Sequence, residues 1–483
     1  MMKTLQVHGR LALIVASVLM YSAVWAKRPV APPLPSEVRQ AFAAADVPLS
    51  HVSLLARPVG QANRVAWRSD VAMNPASTMK LLTTFAGLEL LGPGYRWNTG
   101  VFRQGDVVDG ALRGNLWIRG SGDPRLTLEQ LWLLLRQIKL RGVRRIEGDI
   151  LLDRSLWQLP PGEVFDDTPL KPYNVTPDPL LSNFKTVRFR LLPNGSQVQL
   201  LADPPLPELQ LENRLALDSR PCGEWKNGLQ VEVPEPNRVV FSGRYRAACG
   251  ERDYYLGLLS HADYSAALIA YLWRDMGGEL SGRVREAMLS ADATLWFEHA
   301  SAPLVEVIRD INKFSNNTQA RLLYIALGGN PLLAGTDPLP AAESALRDWL
   351  QRRGVATSGL VLENGSGLSR KERASAATLA DVLDLAQSSP LAPEFESSLP
   401  IVALDGTMKK RLQDKNAAGK AHIKTGSLEG VRAVAGYVQR PDGKWIVVGM
   451  VNHPRAGQAV DALDRWIDWV AGADMASLMA QTE

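Results

Sequence analysis

Apolar residues recur at helical spacing directly after Ser77. Pro75 precedes this segment and Gly92-Pro93-Gly94 follows it. Proline and glycine are typical of the two ends of a helix. The pattern therefore predicts a buried helix whose first turn contains Ser77 and Lys80. The apolar positions that define the helix are Leu81, Leu82, Phe85, Leu88 and Leu91.

Helical spacing and strand-like alternation also occur along the rest of the chain. Further helices are predicted at residues 126–140, 265–273 and 304–311, from residue 318 onward, and at the C-terminus with Val460, Leu463, Ile467 and Val470 on one face. Strands are predicted at residues 52–56, 64–67, 116–119, 149–152, 187–191, 231–240, 431–438 and 445–451. The last two strands are separated by Pro441-Asp442-Gly443, which predicts an antiparallel hairpin.

The distribution of these elements suggests a discontinuous α+β domain with a large insert. The chain has 483 residues, more than one ordinary core accommodates. Residues 95–255 combine short strands with many prolines and predict a β-rich insert of one or two subdomains. Residues 27–94 and 256–483 are expected to fold together as the catalytic unit.

Three short motifs carry the candidate chemistry: Ser77-Thr78-Met79-Lys80, Ser315-Asn316-Asn317 and Lys424-Thr425-Gly426. Serine is a weak nucleophile and needs a base within hydrogen-bond reach. A lysine three residues later lies on the same helical face and can be that base. In this order the motifs match the signature of penicillin-binding proteins and class A β-lactamases, with Asn316 in place of the usual aspartate.

Each motif alone is weak evidence. Ser182-Asn183-Phe184-Lys185 repeats the serine–lysine spacing. It leads into a strand-like pattern, and in a strand residues i and i+3 lie on opposite faces, so we attribute this copy to chance. The histidines are scattered and form no conventional triad. His422 lies two residues before Lys424, and we interpret it as a structural residue of the sheet.

Composition narrows the range of functions. Hydrophobic residues make up 46% and charged residues 22% of the chain, and the formal net charge is +4. No dense basic block or basic–aromatic stripe suggests nucleic-acid binding. We find no phosphate loop or metal-ligand cluster, so neither a cofactor nor a metal is expected.

The N-terminus predicts export. Lys3, His8 and Arg10 precede a mostly apolar stretch at residues 11–24, and Ala26 offers a small residue at a cleavage site. We predict a signal peptide at residues 1–26 and a periplasmic mature protein; an uncleaved anchor is the alternative. Removing this segment deletes Lys3 and Arg10 and leaves 52 basic against 50 acidic residues, a net charge of +2.

The chain contains two cysteines, Cys222 and Cys249. An even count in an exported protein favours one disulfide. Two buried free thiols are the alternative, and a zinc site is disfavoured because no histidine pair lies nearby.

Longer sequence pieces around the motifs resemble one family. The chain is similar to the low-molecular-mass, class C penicillin-binding proteins of the D-alanyl-D-alanine carboxypeptidase/endopeptidase type, over nearly all of its mature length. The pieces that carry this resemblance are Asn74-Pro75-Ala76-Ser77-Thr78-Met79-Lys80, Gly120-Ser121-Gly122-Asp123-Pro124, Asn364-Gly365-Ser366-Gly367-Leu368-Ser369-Arg370, Leu404-Asp405-Gly406-Thr407, Lys424-Thr425-Gly426-Ser427-Leu428 and Ala435-Gly436-Tyr437-Val438.

The resemblance implies a penicillin-recognising, β-lactamase-like fold and a set of residue roles. Ser77 would be acylated and Lys80 would take its proton. Ser315 would pass a proton to the leaving amine, and Asn317 would bind the substrate backbone. Lys424 would tune the electrostatics near Ser315, and Thr425 and Ser427 would hold the substrate's terminal carboxylate. The backbone amides of Ser77 and Ser427 would form the oxyanion hole.

The implied substrates are peptidoglycan stem peptides and cross-links, and β-lactams would be inhibitors. The chain departs from the family's usual residues at two positions: Asn364 stands where aspartate is common, and Ser427 stands where threonine is common. These differences concern fine substrate preference and leave the expected reaction unchanged. The long span between Ser77 and Ser315 disfavours a β-lactamase, and the intact motif residues disfavour a non-catalytic peptidoglycan-binding protein. A weak membrane association is compatible with the sequence, and the oligomeric state stays open.

Overall fold

The computed structural model describes residues 34–62, 65–160, 165–329 and 335–472. The predicted signal peptide at residues 1–26 lies outside the described residues. The helices within them are α1 (Ser36–Ala44), α2 (Lys80–Leu91), α3 (Leu128–Leu140), α4 (His261–Asp275), α5 (Leu304–Phe314), α6 (Asn317–Leu327), α7 (Leu339–Arg352), α8 (Ala376–Ser388), α9 (Ala392–Ser397) and α10 (Val460–Gly472).

The strands of the described residues belong to five sheets. They are β1 (Val52–Pro58), β2 (Val65–Trp67), β3 (Asn98–Arg103), β4 (Val107–Val108), β5 (Ala111–Leu112), β6 (Leu116–Arg119), β7 (Arg145–Ile146), β8 (Ile150–Asp153), β9 (Val187–Asn194), β10 (Gln197–Asp203), β11 (Gln210–Asp218), β12 (Leu229–Glu235), β13 (Arg238–Arg246), β14 (Arg252–Leu256), β15 (Glu279–Leu280), β16 (Val284–Glu286), β17 (Thr294–Ala300), β18 (Ala421–Leu428), β19 (Val431–Arg440) and β20 (Gly443–Asn452).

The catalytic part is built on an antiparallel sheet with the order β18-β19-β20-β1-β2. Successive side chains of a strand point to opposite faces, and both faces of this sheet are covered. In β19, Ala433, Ala435 and Tyr437 lie in the core formed with α2, α5, α6 and α8. Val434 and Val438 lie in the opposite core, with α1 and α10. The predicted hairpin and C-terminal helix are confirmed.

The helix after Ser77 is also confirmed, with a difference at its start. Ser77 lies on a 3₁₀ turn, Ala76–Met79, and the α-helix begins at Lys80. The turn starts from a strained backbone, since Ala76 has a φ of 45°. Residues 80–88 are all buried, which places the side chain of Lys80 inside the protein.

The β-rich insert forms a second core with α3 and α4. Its five-stranded sheet has the order β16-β8-β6-β3-β17, so it includes two strands beyond residue 255. Helix α4 packs in the same core. We therefore propose that the insert ends near residue 300 rather than at 255, because β17 pairs with β3 over residues 294–300.

The prediction of one strand over residues 231–240 is wrong. Residues Leu229–Glu235 and Arg238–Arg246 are separate strands, β12 and β13, which pair antiparallel. The turn falls at Pro236-Asn237, a pair of residues that favours turns. The apolar alternation on both sides of this turn concealed the break.

The insert contacts the two helices on either side of Ser315. Arg125 forms ion pairs with Glu306 at 3.0 Å and Asp310 at 3.2 Å, both on α5. Gln319 of α6 donates from Nε2 to the Pro124 carbonyl oxygen over 3.2 Å. The segment after the Gly120-Ser121-Gly122 turn thus fixes the insert against the catalytic part.

The predicted disulfide is present between Cys222 and Cys249. It links the segments that follow the parallel strands β11 and β13. Within the described ranges, no helix is long and apolar enough to cross a bilayer.

Replacing Cys222 and Cys249 together by serine should destabilise the insert. The disulfide closes a loop across a sequence separation of 27 residues. In the chain-entropy model such a loop contributes about 3–4 kcal/mol. Thermal unfolding of the variant and of wild type, with and without reductant, checks this. A wild-type midpoint that does not change when reductant is added would contradict the assignment.

Candidate active site

Ser77 and Lys80 are within direct hydrogen-bonding distance. Lys80 Nζ and Ser77 Oγ lie 2.9 Å apart, and the Ser77 side chain is half-buried at the cleft. The 3₁₀ turn brings the two side chains to the same side of the segment. The first motif is therefore assembled locally, as the spacing predicted.

The turn that carries Ser77 is held by two asparagines. Asn74 accepts from the Ala76 N–H with Oδ1 over 2.9 Å and donates to the Ser369 carbonyl oxygen over 2.8 Å. Asn452, the last residue of β20, bonds both backbone groups of Asn74, at 2.8 Å and 3.0 Å. These bonds offset the strain at Ala76 and fix the turn to the sheet.

The second motif forms the connection between α5 and α6. Ser315 ends α5 in the left-handed conformation, with a φ of 59°. Asn316 caps α6 by accepting from the Gln319 N–H over 3.0 Å. The sharp turn directs Asn317 toward the first motif, where its Oδ1 accepts from Lys80 Nζ over 2.6 Å.

The third motif lies on β18, at the edge of the sheet. Lys424 Nζ donates to Ser315 Oγ and to the Thr425 carbonyl oxygen, each over 2.9 Å. Gly426 packs directly on the first motif, since a Cβ placed on it would lie 3.0 Å from the Ser77 nitrogen. A larger residue would separate β18 from the serine. Ser427 follows with an exposed side chain.

A fourth segment, residues 363–367, closes the site from the other side. Lys80 Nζ also donates to the Ser366 carbonyl oxygen. Gly367 has a φ of +79°, and a Cβ there would lie 1.9 Å from the Ala76 carbonyl oxygen. Only glycine permits both this conformation and this approach.

A buried carboxylate, Glu372, organises this segment. Its side chain is 0% exposed and accepts from four backbone amides. The distances are 3.2 Å to Glu363 N, 3.0 Å to Asn364 N, 2.8 Å to Gly365 N and 2.8 Å to Gly367 N. This arrangement is a small anion-binding nest that shapes the segment around Lys80.

Burial dominates the electrostatics of the site. It lowers the pKa of Lys80 well below its ordinary value; the nearby charge of Lys424 lowers it further, and Glu372 raises it. Burial lowers the pKa of Lys424 to about 7. Burial also raises the pKa of Glu372, against the opposite effect of the amide hydrogen bonds. The site thus favours a neutral amine at Lys80.

The structure brings together Ser77, Lys80, Ser315, Asn317 and Lys424 as predicted. Thr425 and Ser427 lie next to them on β18, while the Cys222–Cys249 disulfide lies in the insert.

The Ser182–Lys185 copy of the first motif, which we attributed to chance, and His422, which we interpreted as structural, both form contacts outside the site. The ammonium of Lys185 donates to the Leu259 carbonyl oxygen rather than to the hydroxyl of Ser182. His422 Nδ1 contacts the Glu396 carbonyl oxygen at 3.2 Å.

Sequence reasoning missed Glu372, the Ser366 carbonyl group and Asn452. Glutamates are common in the chain, and nothing in the local pattern marks one as buried. The carbonyl of Ser366 acts through the backbone and leaves no residue-type signal. Asn74 and Gly367 lie within the sequence pieces that carry the family resemblance. That resemblance was the signal that could have identified them as site residues.

The chain matches the family model described as "D-Ala-D-Ala carboxypeptidase 3 (S13) family" over residues 37–470. This chain belongs to that family. The predicted resemblance, the β-lactamase-like fold class and the enzyme class, a serine D-Ala-D-Ala carboxypeptidase, are confirmed.

Curated relatives and a solved structure agree with this family assignment. The chain is 31% identical over 412 residues to the D-alanyl-D-alanine carboxypeptidase of Actinomadura sp. (strain R39), covering 80% of this chain and 74% of the relative. It is 27% identical over 409 residues to D-alanyl-D-alanine carboxypeptidase DacB of Haemophilus influenzae, covering 82% and 84%. The crystal structure of penicillin binding protein 4 (dacB) from Haemophilus influenzae superposes with a TM-score of 0.75 at 25% identity, covering 90% of this chain and 98% of that one.

Glu372→Gln should destabilise the fold and lower the pKa of Lys80 further. The NH2 group of the new glutamine side chain would face a backbone N–H where a carboxylate oxygen of Glu372 now accepts. This loss lowers the free energy of unfolding by about 2–3 kcal/mol. Loss of the negative charge removes the interaction that raises the pKa of Lys80. Chemical denaturation and a carbon NMR titration of labelled lysine measure the two effects.

Glu363→Gln is the matched control, because it removes the same charge from a partly exposed neighbour of the same segment. An equal shift of the Lys80 titration in both variants would show that the buried nest has no special effect.

Proposed function

We propose that Ser77 is the nucleophile of a D-Ala-D-Ala carboxypeptidase and that Lys80 is its general base. The observation that carries this proposal is the 2.9 Å contact between Lys80 Nζ and Ser77 Oγ in a buried site that lowers the pKa of the lysine. A neutral amine can take the serine proton, which a charged ammonium cannot.

The partners of Lys80 support this role. A neutral amine has two N–H donors and one lone pair. Asn317 Oδ1 at 2.6 Å and the Ser366 carbonyl oxygen are acceptors, so they use the two N–H groups. The lone pair then remains for the hydroxyl proton of Ser77. The same two acceptors also hold the ammonium that forms once the proton has moved.

Acylation begins when Ser77 Oγ attacks the carbonyl carbon of the penultimate D-alanine and its proton moves to Lys80. The carbonyl oxygen becomes an oxyanion, which the backbone N–H groups of Ser77 and Ser427 would stabilise. The close packing of Gly426 on Ser77 supports this pairing of the two amides. The C–N bond then breaks, leaving an ester on Ser77.

The leaving amine needs a proton, and Ser315 is the candidate donor. Its hydroxyl lies 2.9 Å from Lys424 Nζ, which can replace the proton that Ser315 gives away. Asn317 uses its carbonyl oxygen to accept from Lys80, so its amide N–H groups are left to bind the substrate backbone. Water then hydrolyses the ester and releases the shortened peptide.

The leaving residue carries a carboxylate, and β18 offers its binding site. Lys424 supplies positive charge, and the hydroxyls of Thr425 and Ser427 share one face of the strand. These groups favour peptides with a free carboxylate on the residue that leaves. The same geometry suits D-Ala–diaminopimelate cross-links, and penicillins would acylate Ser77.

These substrates place the enzyme at the bacterial cell wall. The relatives that share the family are named carboxypeptidases, and the disulfide between Cys222 and Cys249 supports export to an oxidising compartment. We propose a periplasmic location. The chemistry proposed here needs no metal or cofactor.

Ser77→Ala and Lys80→Ala should each abolish labelling by a fluorescent penicillin while leaving the fold intact. The first variant lacks the attacking oxygen and the second lacks the base. Labelling with mass spectrometry, together with digestion of purified cross-linked muropeptides, checks both. A β-lactam adduct on another residue would refute the assignment, and release of penicillin within seconds would favour a β-lactamase.

The rate of penicillin acylation should depend on pH with two limbs. It should rise as Lys80 loses its proton and fall above about pH 7 as Lys424 loses its charge. Lys424→Arg keeps the charge at all these pH values, so it should remove the alkaline limb. The second-order rate constant of acylation against pH tests this, and an unchanged alkaline limb in the arginine variant would contradict it.

A further inference from the structure

A hydroxyl outside the three motifs lies beside the carboxylate-binding strand. Thr425 Oγ1 donates to Thr407 Oγ1 over 2.8 Å. Thr407 lies on a short 3₁₀ turn, Gly406–Met408, and its side chain is exposed. Among the residues that the structure describes, no acceptor takes the proton of the Thr407 hydroxyl. That proton is available to a ligand in the cleft.

The turn that carries Thr407 is tied to the second motif. Lys313 lies two residues before Ser315, is 4% exposed and donates to Asp405 Oδ2 over 2.6 Å. The other oxygen of Asp405 accepts from the Ile401 N–H over 2.7 Å. Burial raises the pKa of Asp405, but the hydrogen bonds from Lys313 and Ile401 and the nearby charges of Lys313 and His422 together outweigh it, so the pKa lies below its ordinary value and the carboxylate is ionised at neutral pH. Gly406, with a φ of +55°, approaches the Lys313 carbonyl oxygen too closely for a side chain.

The same segment is also tied to β18. The Ile423 N–H donates to the Pro400 carbonyl oxygen over 2.8 Å, and the Val402 N–H donates to the Ala421 carbonyl oxygen over 2.9 Å. Residues 400–402 thus cover the first half of the edge of β18. In the described part of the chain, the other half, which contains Thr425 and Ser427, pairs only with β19 on its inner side. Thr407 stands where the covered half meets the open half.

We propose that Thr407 is a specificity-determining residue whose hydroxyl donates, beside that of Ser427, to the terminal carboxylate of the leaving D-alanine, while the Thr425 hydroxyl donates its one proton to Thr407. The inference rests on the proposed function, which places that carboxylate on β18. A carboxylate has about four lone-pair positions and can accept from several hydroxyls. A hydroxyl that already accepts from another hydroxyl is a stronger donor, so the Thr425 bond prepares Thr407 for this role.

The experiment compares two peptides that differ only at the C-terminus: one ends in D-alanyl-D-alanine as the free acid, the other in D-alanyl-D-alaninamide. The enzyme forms are wild type, Thr407→Val and Thr407→Ser. Thr407→Val should lower the ratio of kcat/KM for acid over amide about tenfold, because a hydrogen bond to a charged group is lost. The loss should appear mainly in KM. Thr407→Ser keeps the hydroxyl and should restore the ratio to within about threefold.

Thr294→Val is the matched control, because this exposed threonine lies on β17 in the insert. An unchanged ratio in Thr407→Val would overturn the inference. An equal loss on both peptides would also overturn it, since that result indicates a purely structural role. Failure of penicillin to acylate Ser77 in wild type would instead contradict the proposed function. Failure of the Thr407 inference and failure of the proposed function therefore give different results.

Discussion

A buried lysine next to a serine hydroxyl is the interaction on which the rest of the site depends. Lys80 is useful only while it is neutral, and the protein interior supplies that condition by removing water from the amine. Removing water also creates a problem, because every polar hydrogen that is buried must find an acceptor. Asn317 and the Ser366 carbonyl group supply the acceptors for the Lys80 amine, and both come from segments distant in sequence.

This requirement explains why so many segments converge on one short turn. The Ser77 turn is held by Asn74 and Asn452, packed by Gly367 and Gly426, and partnered by the α5–α6 connection. A glycine is needed wherever backbone meets backbone at the turn. Glu372 is buried in the same region as Lys80 and Lys424, and it stabilises its own segment by accepting from four backbone amides.

The insert has a physical connection to this chemistry even though it carries none of the motif residues. Its segment around Arg125 is joined by ion pairs to α5, and Gln319 joins it to α6. These are the helices on either side of Ser315. A long insertion between the first and second motifs therefore does not loosen the site, because it packs back against the connection that carries the second motif.

The sequence by itself determined the elements whose signals are local. Helical periodicity predicted α2 and α10, the turn residues predicted the β19–β20 hairpin, and the spacing of Ser77 and Lys80 predicted their contact. Motif order and the pieces around the motifs identified the family. A single turn at Pro236-Asn237 was missed because apolar alternation continued on both sides of it.

Only the tertiary structure decided the contacts between distant segments. Glu372 looks like any glutamate until four amides are folded around it, and the Ser366 carbonyl group has no side-chain signature. The association of α4, β16 and β17 with the insert depends on strand pairing across more than a hundred residues. Such long-range pairing is set by the packing of whole surfaces, and no local pattern of residues encodes it.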